Sequence, residues 1–267
     1  MLKVLKYLGD LFLIVVLTLI TQIGGLLYLF SRVLFRNTKS YKAIKTTVLF
    51  LSLYVFSTFL IIPFLAPQFG RERVLESDHV KNVSWFYILC NRNYVTPQLN
   101  QIVLESSEEL AKKYPGIKIN LLDANFPFWH GFPLFPHLSH NDGKKLDLSF
   151  IYSKDNRFVN KVPTLSGYGF FVKPKSHEHD QPMACKEQGY FQYDYARFLT
   201  FGTVNNGLQL NETATRDLIN SLTKNAQVTK IFIEPHLVKR LDLKNSKIRY
   251  HGCHAVRHDD HIHIQIR

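Results

Sequence analysis

Charge is absent from two stretches of this chain and spread through the rest. Residues 11–30, LFLIVVLTLITQIGGLLYLF, and 46–67, TTVLFLSLYVFSTFLIIPFLAP, hold no charged side chain. Each has the roughly 20 residues that an α-helix needs to cross a bilayer core. Globular core helices of this length usually carry a polar stripe, so the pair predicts a transmembrane hairpin within a membrane anchor over 1–69. At 70–85 the pattern turns abruptly polar, QFGRERVLESDHVKNVSW around it, and predicts a juxtamembrane stalk.

Beyond the stalk one domain is expected over 86–267, and the charge balance around the two spans makes it extracytoplasmic. Leu99, Ile102, Val103 and Leu110 fall on one stripe of a helix over 96–113, with Thr96 as N-cap and Pro97 at its first position. Pro115 and Gly116 end it, and GIKINLL alternates as a strand. A loop rich in Pro, Gly and aromatics leads to KLDLSFIY, where Asp147 lies among alternating apolar residues and so needs a partner. Residues 153–190 read as irregular, with His177 and His179 on a solvated loop. A helix after Asn211, a strand at VTKIFIEP and a short helix at HLVKRLDL follow. The chain ends in HIHIQIR, with Ile262, Ile264 and Ile266 on one face and His261, His263 and Gln265 on the other.

The 267 residues are 46% hydrophobic, which excludes a disordered or collagen-like chain. Basic residues (33) exceed acidic ones (21), and their placement bears on topology. Between the spans lie Arg32, Arg36, Lys39, Lys42 and Lys45 with no acid, against Lys3, Lys6 and the amine at the N-terminus. The positive-inside rule puts this loop in the cytoplasm. The N-terminus and the region after Pro67 are then expected outside, in a multi-pass protein of the inner (cytoplasmic) membrane with a periplasmic or exterior C-terminal domain. A cleaved signal peptide would need a shorter apolar region and would leave the second span's basic flank on the wrong side. Cys90, Cys185 and Cys253 allow one disulfide and one remaining thiol, and spacing does not choose the pair. No CxxC occurs, which argues against a thiolate zinc finger. The basic residues are scattered and form no nucleic-acid-binding motif. Oligomeric state has no signature here.

The densest chemistry lies at the end of the chain. Five of the 12 histidines fall in the last 17 residues. Two segments stand out: SHNDGKKLD, with His140 seven residues before Asp147, and HDDHIH, with His258, His261 and His263. Zinc binds His nitrogen and Asp oxygen readily, and a catalytic site uses three protein ligands and leaves a position for water. His140 and Asp147 can converge from a loop and the strand it feeds. The terminal strand supplies a third ligand from His261 or His263, and the other histidine stands beside it.

These segments resemble the SH-x-x-G-x-x-x-D and H-x-x-H-x-H motifs of the zinc peptidases grouped with lysostaphin, the D-Ala-D-Ala peptidases and the hedgehog signalling domain. The nearest likeness is to the penicillin-insensitive murein endopeptidases, and it covers roughly 121–266. It implies an α+β fold with a small antiparallel sheet flanked by helices. It also implies His140, Asp147 and His263 as zinc ligands, His261 as the catalytic histidine and His258 as a second active-site histidine. The implied activity is hydrolysis of amide bonds in peptidoglycan peptides, at a D-Ala-containing cross-link or stem. The alternative is a non-catalytic, zinc-containing binding domain at the cell envelope, as the hedgehog likeness allows. Two departures stand out. Many relatives carry an Arg before the first motif, whereas LLDANFPFWHGFPLFP has no basic residue, and the Glu-x-x-His or Glu-x-Trp-His base of the dipeptidase branch is missing.

Overall fold

The computed structural model describes residues 2–267, with side chains from Val4 onward. Lys3 and the amine, counted among the topology signals, lie outside the described side chains. The helices are α1 (Leu2–Thr21), α2 (Gly24–Leu34), α3 (Lys42–Phe56), α4 (Ile62–Leu65), α5 (Trp85–Leu89), α6 (Pro97–Lys113), α7 (Gln181–Glu187), α8 (Glu212–Lys224) and α9 (Pro235–Arg240). The strands are β1 (Glu72–Arg73), β2 (Val80–Asn82), β3 (Tyr94–Val95), β4 (Ile119–Leu121), β5 (Lys145–Ser149), β6 (Tyr152–Lys154), β7 (Arg157–Val159), β8 (Gln209–Leu210), β9 (Val228–Phe232), β10 (Ile248–Arg249) and β11 (His261–Ile266). They form two compact units, one of Met1–Arg73, Phe86–Thr96 and Ala124–Gly143 and the other of Val74–Trp85, Pro97–Asp123 and Lys144–Arg267.

The first unit contains two helices long and apolar enough to cross a membrane, Val4–Thr21 and Lys42–Phe69, and the shorter apolar Gly24–Leu34. The first apolar run is not one helix over 11–30 as expected. It breaks after Thr21, where Gln22 takes a left-handed conformation (φ 68°) and α2 folds back along α1. The reversal is held from both sides. The Gln22 amide donates to Phe128 O and accepts from Phe128 N, each at 2.9 Å, and Gly24 N donates to Thr21 Oγ1 at 2.8 Å. A Cβ on Gly25 would lie 2.0 Å from Thr18 Oγ1 and 2.3 Å from Ile14 O, so only glycine lets the two helices approach this closely. At the other end of the pair, Asp10 accepts from Tyr28 OH at 2.9 Å and pairs with Arg32. The beginning of α1 therefore lies at the same end as the basic loop, not opposite it as a single helix over 11–30 would require. The second apolar run stays helical through a π-helical turn at Ser57–Ile61, where Pro63 has no N–H to give and its ring crowds the Phe59 carbonyl.

The expected stalk is structured instead. Glu72 and Arg73 pair antiparallel with Val95 and Tyr94, and Arg71 is buried because its guanidinium is spent on backbone carbonyls. Asn82, near the stalk's end, belongs to the main sheet of the second unit. That sheet runs β10-β9-β11-β5-β4-β2. Its four central strands are antiparallel, and β10 and β2 join at the edges in parallel. Leu146 and Leu148 stand opposite Ile264 and Ile262, and all four are buried. Helix α8, capped by the Asn211 side chain on Ala214 N, packs on β9 and α6. Residues 153–190, expected to be irregular, contribute the β6–β7 hairpin and α7. The Thr96 hydroxyl makes no cap bond, since no partner for it occurs among the described residues, and Pro97 opens α6 without one.

Candidate metal centre

Strands β5 and β11 run side by side with Asp147 directly across from His263 and Ser149 across from His261. Alternation turns Asp147 and His263 to one face, and the two rows meet: His263 Nδ1 lies 2.8 Å from Asp147 Oδ1. The other oxygen, Asp147 Oδ2, accepts from Tyr168 OH at 2.7 Å and lies 3.8 Å from His261 Nε2. Asp147 is 1% exposed and His263 5%, so the strand face read from sequence as polar is an interior one. A carboxylate there has to be partnered, and this one is.

His261 is held from its far side. Its Nδ1 lies 2.5 Å from Asp260 Oδ1, and Asp260 Oδ2 accepts from Gly169 N at 2.6 Å. Burial opposes a charge on His261, but the carboxylates of Asp147 and Asp260 outweigh it and push the imidazole up to about 9. His258 lies in the opposite field. Burial, with His261 and His263 close by, drives it well below the ordinary range. Its ring centre is 4.9 Å from that of His261 and 5.8 Å from that of His263. His251 stacks on His258 at 5.7 Å, and both lie against Phe232.

Behind His258 runs a buried polar network. Glu234 Oε1 accepts from His258 N at 3.1 Å and from Tyr193 OH at 2.5 Å. Arg257 binds Asp259 through Nε at 2.6 Å and Asp194 through a terminal nitrogen at 2.8 Å, and lies over the Phe171 ring at 4.0 Å. Burial pushes the Asp259 carboxyl up to about 7 against the pull of Arg257. The segment 257–260 is thus clamped before it enters β11. The disulfide joins Cys185 to Cys253, tying α7 to the loop that carries His251, and leaves buried Cys90 outside it.

His140 precedes β5 on the loop 124–143. Its Nδ1 pairs with Ala124 O at 2.8 Å, which fixes the proton on Nδ1 and makes Nε2 the nitrogen able to bind a cation. Arg71 organises this loop, donating to Phe128 O at 2.9 Å, Trp129 O at 3.3 Å and Asn141 O at 3.1 Å, and also to Phe126 O. Arg92 donates to Phe135 O at 2.7 Å. Basic groups missing from 121–136 in sequence therefore arrive from elsewhere, though they bind main chain. At the loop's end Gly143 has φ 82°, a conformation that favours glycine, and a Cβ there would lie tight against Arg71 Nε at 3.1 Å.

One ligand atom each from His140, Asp147 and His263 lies within 4.8 Å of the other two, and all three residues are buried. The cluster could hold a metal ion. Two nitrogens and one oxygen suit a borderline cation such as zinc and leave coordination positions to spare. His177 and His179 are exposed and belong to no such cluster among the described residues. Sequence reasoning missed Asp260, Tyr168 and Arg71. Asp260 had a signal, since it adjoins His261 in HDDHIH, whereas Tyr168 and Arg71 had none. No protein-family model matches the chain, and no curated protein matches it in sequence.

Proposed function

We propose that this protein is a membrane-anchored zinc metallopeptidase that hydrolyses amide bonds in cell-wall peptidoglycan peptides. The observation that carries the reading is the convergence of His140, Asp147 and His263 beside a histidine, His261, whose far nitrogen is held by Asp260. A metal held only for structure would need neither the oriented His261 nor His258 at its edge.

When bound, zinc would supply Lewis acidity, polarising the scissile carbonyl and acidifying a water. His261, oriented through Nδ1 by Asp260, presents Nε2 toward the reacting groups and moves the proton to the departing amine. His258 steadies the developing oxyanion, its backbone N–H anchored on Glu234. Tyr168 holds Asp147 in its ligating rotamer. The Cys185–Cys253 bridge supports an oxidising compartment for the catalytic region. The excess of basic residues in the loop after α2 supports a cytoplasmic location for that loop. The resemblance of SHNDGKKLD and HDDHIH to the murein endopeptidase motifs supports the substrate class.

The test uses the purified full-length chain in detergent, with metal measured by elemental analysis and fragments released from purified peptidoglycan measured with and without chelator. About one zinc per chain with chelator-sensitive cleavage supports the reading, and the products identify the bond. Bound zinc without cleavage of any wall substrate would replace the enzyme by a binding domain.

A further inference from the structure

The α1–α2 reversal creates a feature the peptidase reading does not use. At the ends of α1 and α2 away from Gln22, a cleft of about 560 Å³ is lined by Lys6, Asp10, Arg32, Arg36 and Lys42 and walled by Leu11, Ile14, Leu29 and Val33. The lining residues include four cations and one carboxylate. Asp10 is already committed to Tyr28 OH and Arg32, so Lys6, Arg36 and Lys42 leave the cleft with a net positive charge. The apolar wall is equally uncommon for a water-facing surface, with Leu11 57%, Val33 51% and Leu29 43% exposed. A small anion would satisfy the cations and leave these side chains bare, and an acyl chain alone would leave the cations without a counterion.

We propose that this cleft binds one anionic phospholipid, its phosphate headgroup among Lys6, Arg36 and Lys42 and the start of its acyl chains against Leu11, Ile14, Leu29 and Val33. The position suits it. Lys42 begins the helical run to Phe69, so the cations ring the polar end of the membrane helices, where a lipid phosphate sits. Arg32 acts differently. Paired to Asp10, it closes the floor of the cleft and neutralises an acid that would otherwise repel the headgroup. This inference rests on reading α1 and Lys42–Phe69 as membrane helices.

The test is native mass spectrometry of the full-length chain released from vesicles of phosphatidylglycerol and phosphatidylcholine with matched acyl chains. Wild type should retain one phosphatidylglycerol per chain in preference to phosphatidylcholine. The Lys6→Gln/Arg36→Gln/Lys42→Gln variant, which spares Arg32, should lose that preference by at least about tenfold, since each basic group near the membrane surface adds to the attraction for an anionic headgroup. Equal retention of the two lipids by wild type, or an unchanged preference in the variant, would overturn the proposal. So would displacement of the lipid by millimolar inorganic phosphate, which would mark an anion site only. Alkaline extraction of the same vesicles reports on the membrane reading separately. A wild-type chain that washes off would end both readings, whereas a resistant chain without lipid preference would end only this one.

Discussion

His263 and Asp147 face each other across the β5–β11 ladder, the imidazole Nδ1 2.8 Å from the carboxylate Oδ1. Both belong to rigid neighbouring strands, so neither can adjust far when the other is lost. Asp147→Ala is expected to abolish zinc binding, from about one per chain to near none by elemental analysis, and His140→Ala to do the same. Full metal content in either variant would remove that residue from the ligand set.

His261→Ala should retain zinc and lose turnover by at least about 10²-fold, the lower range for a group that transfers a proton in the transition state. Asp260→Asn should act in the same direction with a smaller loss, because it keeps a hydrogen-bond partner for His261 Nδ1 but not the charge. Measuring kcat with metal content in parallel separates these effects. Activity equal to wild type in His261→Ala would pass its role to His258.

Gly143→Ala tests the loop rather than the ligands. A left-handed non-glycine residue costs on the order of 1–3 kcal/mol, and the added methyl would meet Arg71 at 3.1 Å. Denaturant unfolding should show that loss, and zinc affinity should fall with it because His140 lies three residues upstream. An unperturbed variant would mean that the loop relaxes freely.

Glu178 and Arg240 form an ion pair, with Glu178 Oε1 2.9 Å from Arg240 Nε. The Arg240 hydrogen bond draws the Glu178 carboxyl down from 4.5 to about 2, with burial opposing it. A depressed carboxyl stabilises the fold above its ordinary pKa and loses that contribution as pH falls from about 4.5 toward 2. Glu178→Gln should therefore be less stable than wild type at pH 7, and the difference should shrink at pH 3. A gap that does not depend on pH would show that the pair contributes nothing through ionisation.

The Cys185–Cys253 bridge spans 68 residues of sequence, and replacing both cysteines with alanine should cost about 2–4 kcal/mol. Maleimide labelling of the intact protein should modify neither cysteine before reduction. Quantitative labelling of both in protein taken directly from cells would contradict an oxidising compartment.

Local patterns were readable without coordinates. The apolar runs, the alternation of β5 and β11 and the helices α6 and α8 follow from spacings of a few residues, where side-chain direction depends on the backbone period alone. Spacing left the third ligand open between His261 and His263, and His263 was implied only by the resemblance of the two motifs. Contacts between distant residues were not. The break at Gln22 depends on Phe128, 106 residues away, and it moves the start of α1 to the end of the apolar helices where the basic loop lies. Arg71 enters a loop that begins more than fifty residues later, the polar stretch at 70–85 supplies the edge strand β2, and the disulfide selects one pair of three cysteines. Each is settled by which buried polar group finds which partner, and burial is a property of the assembled fold that no local window contains.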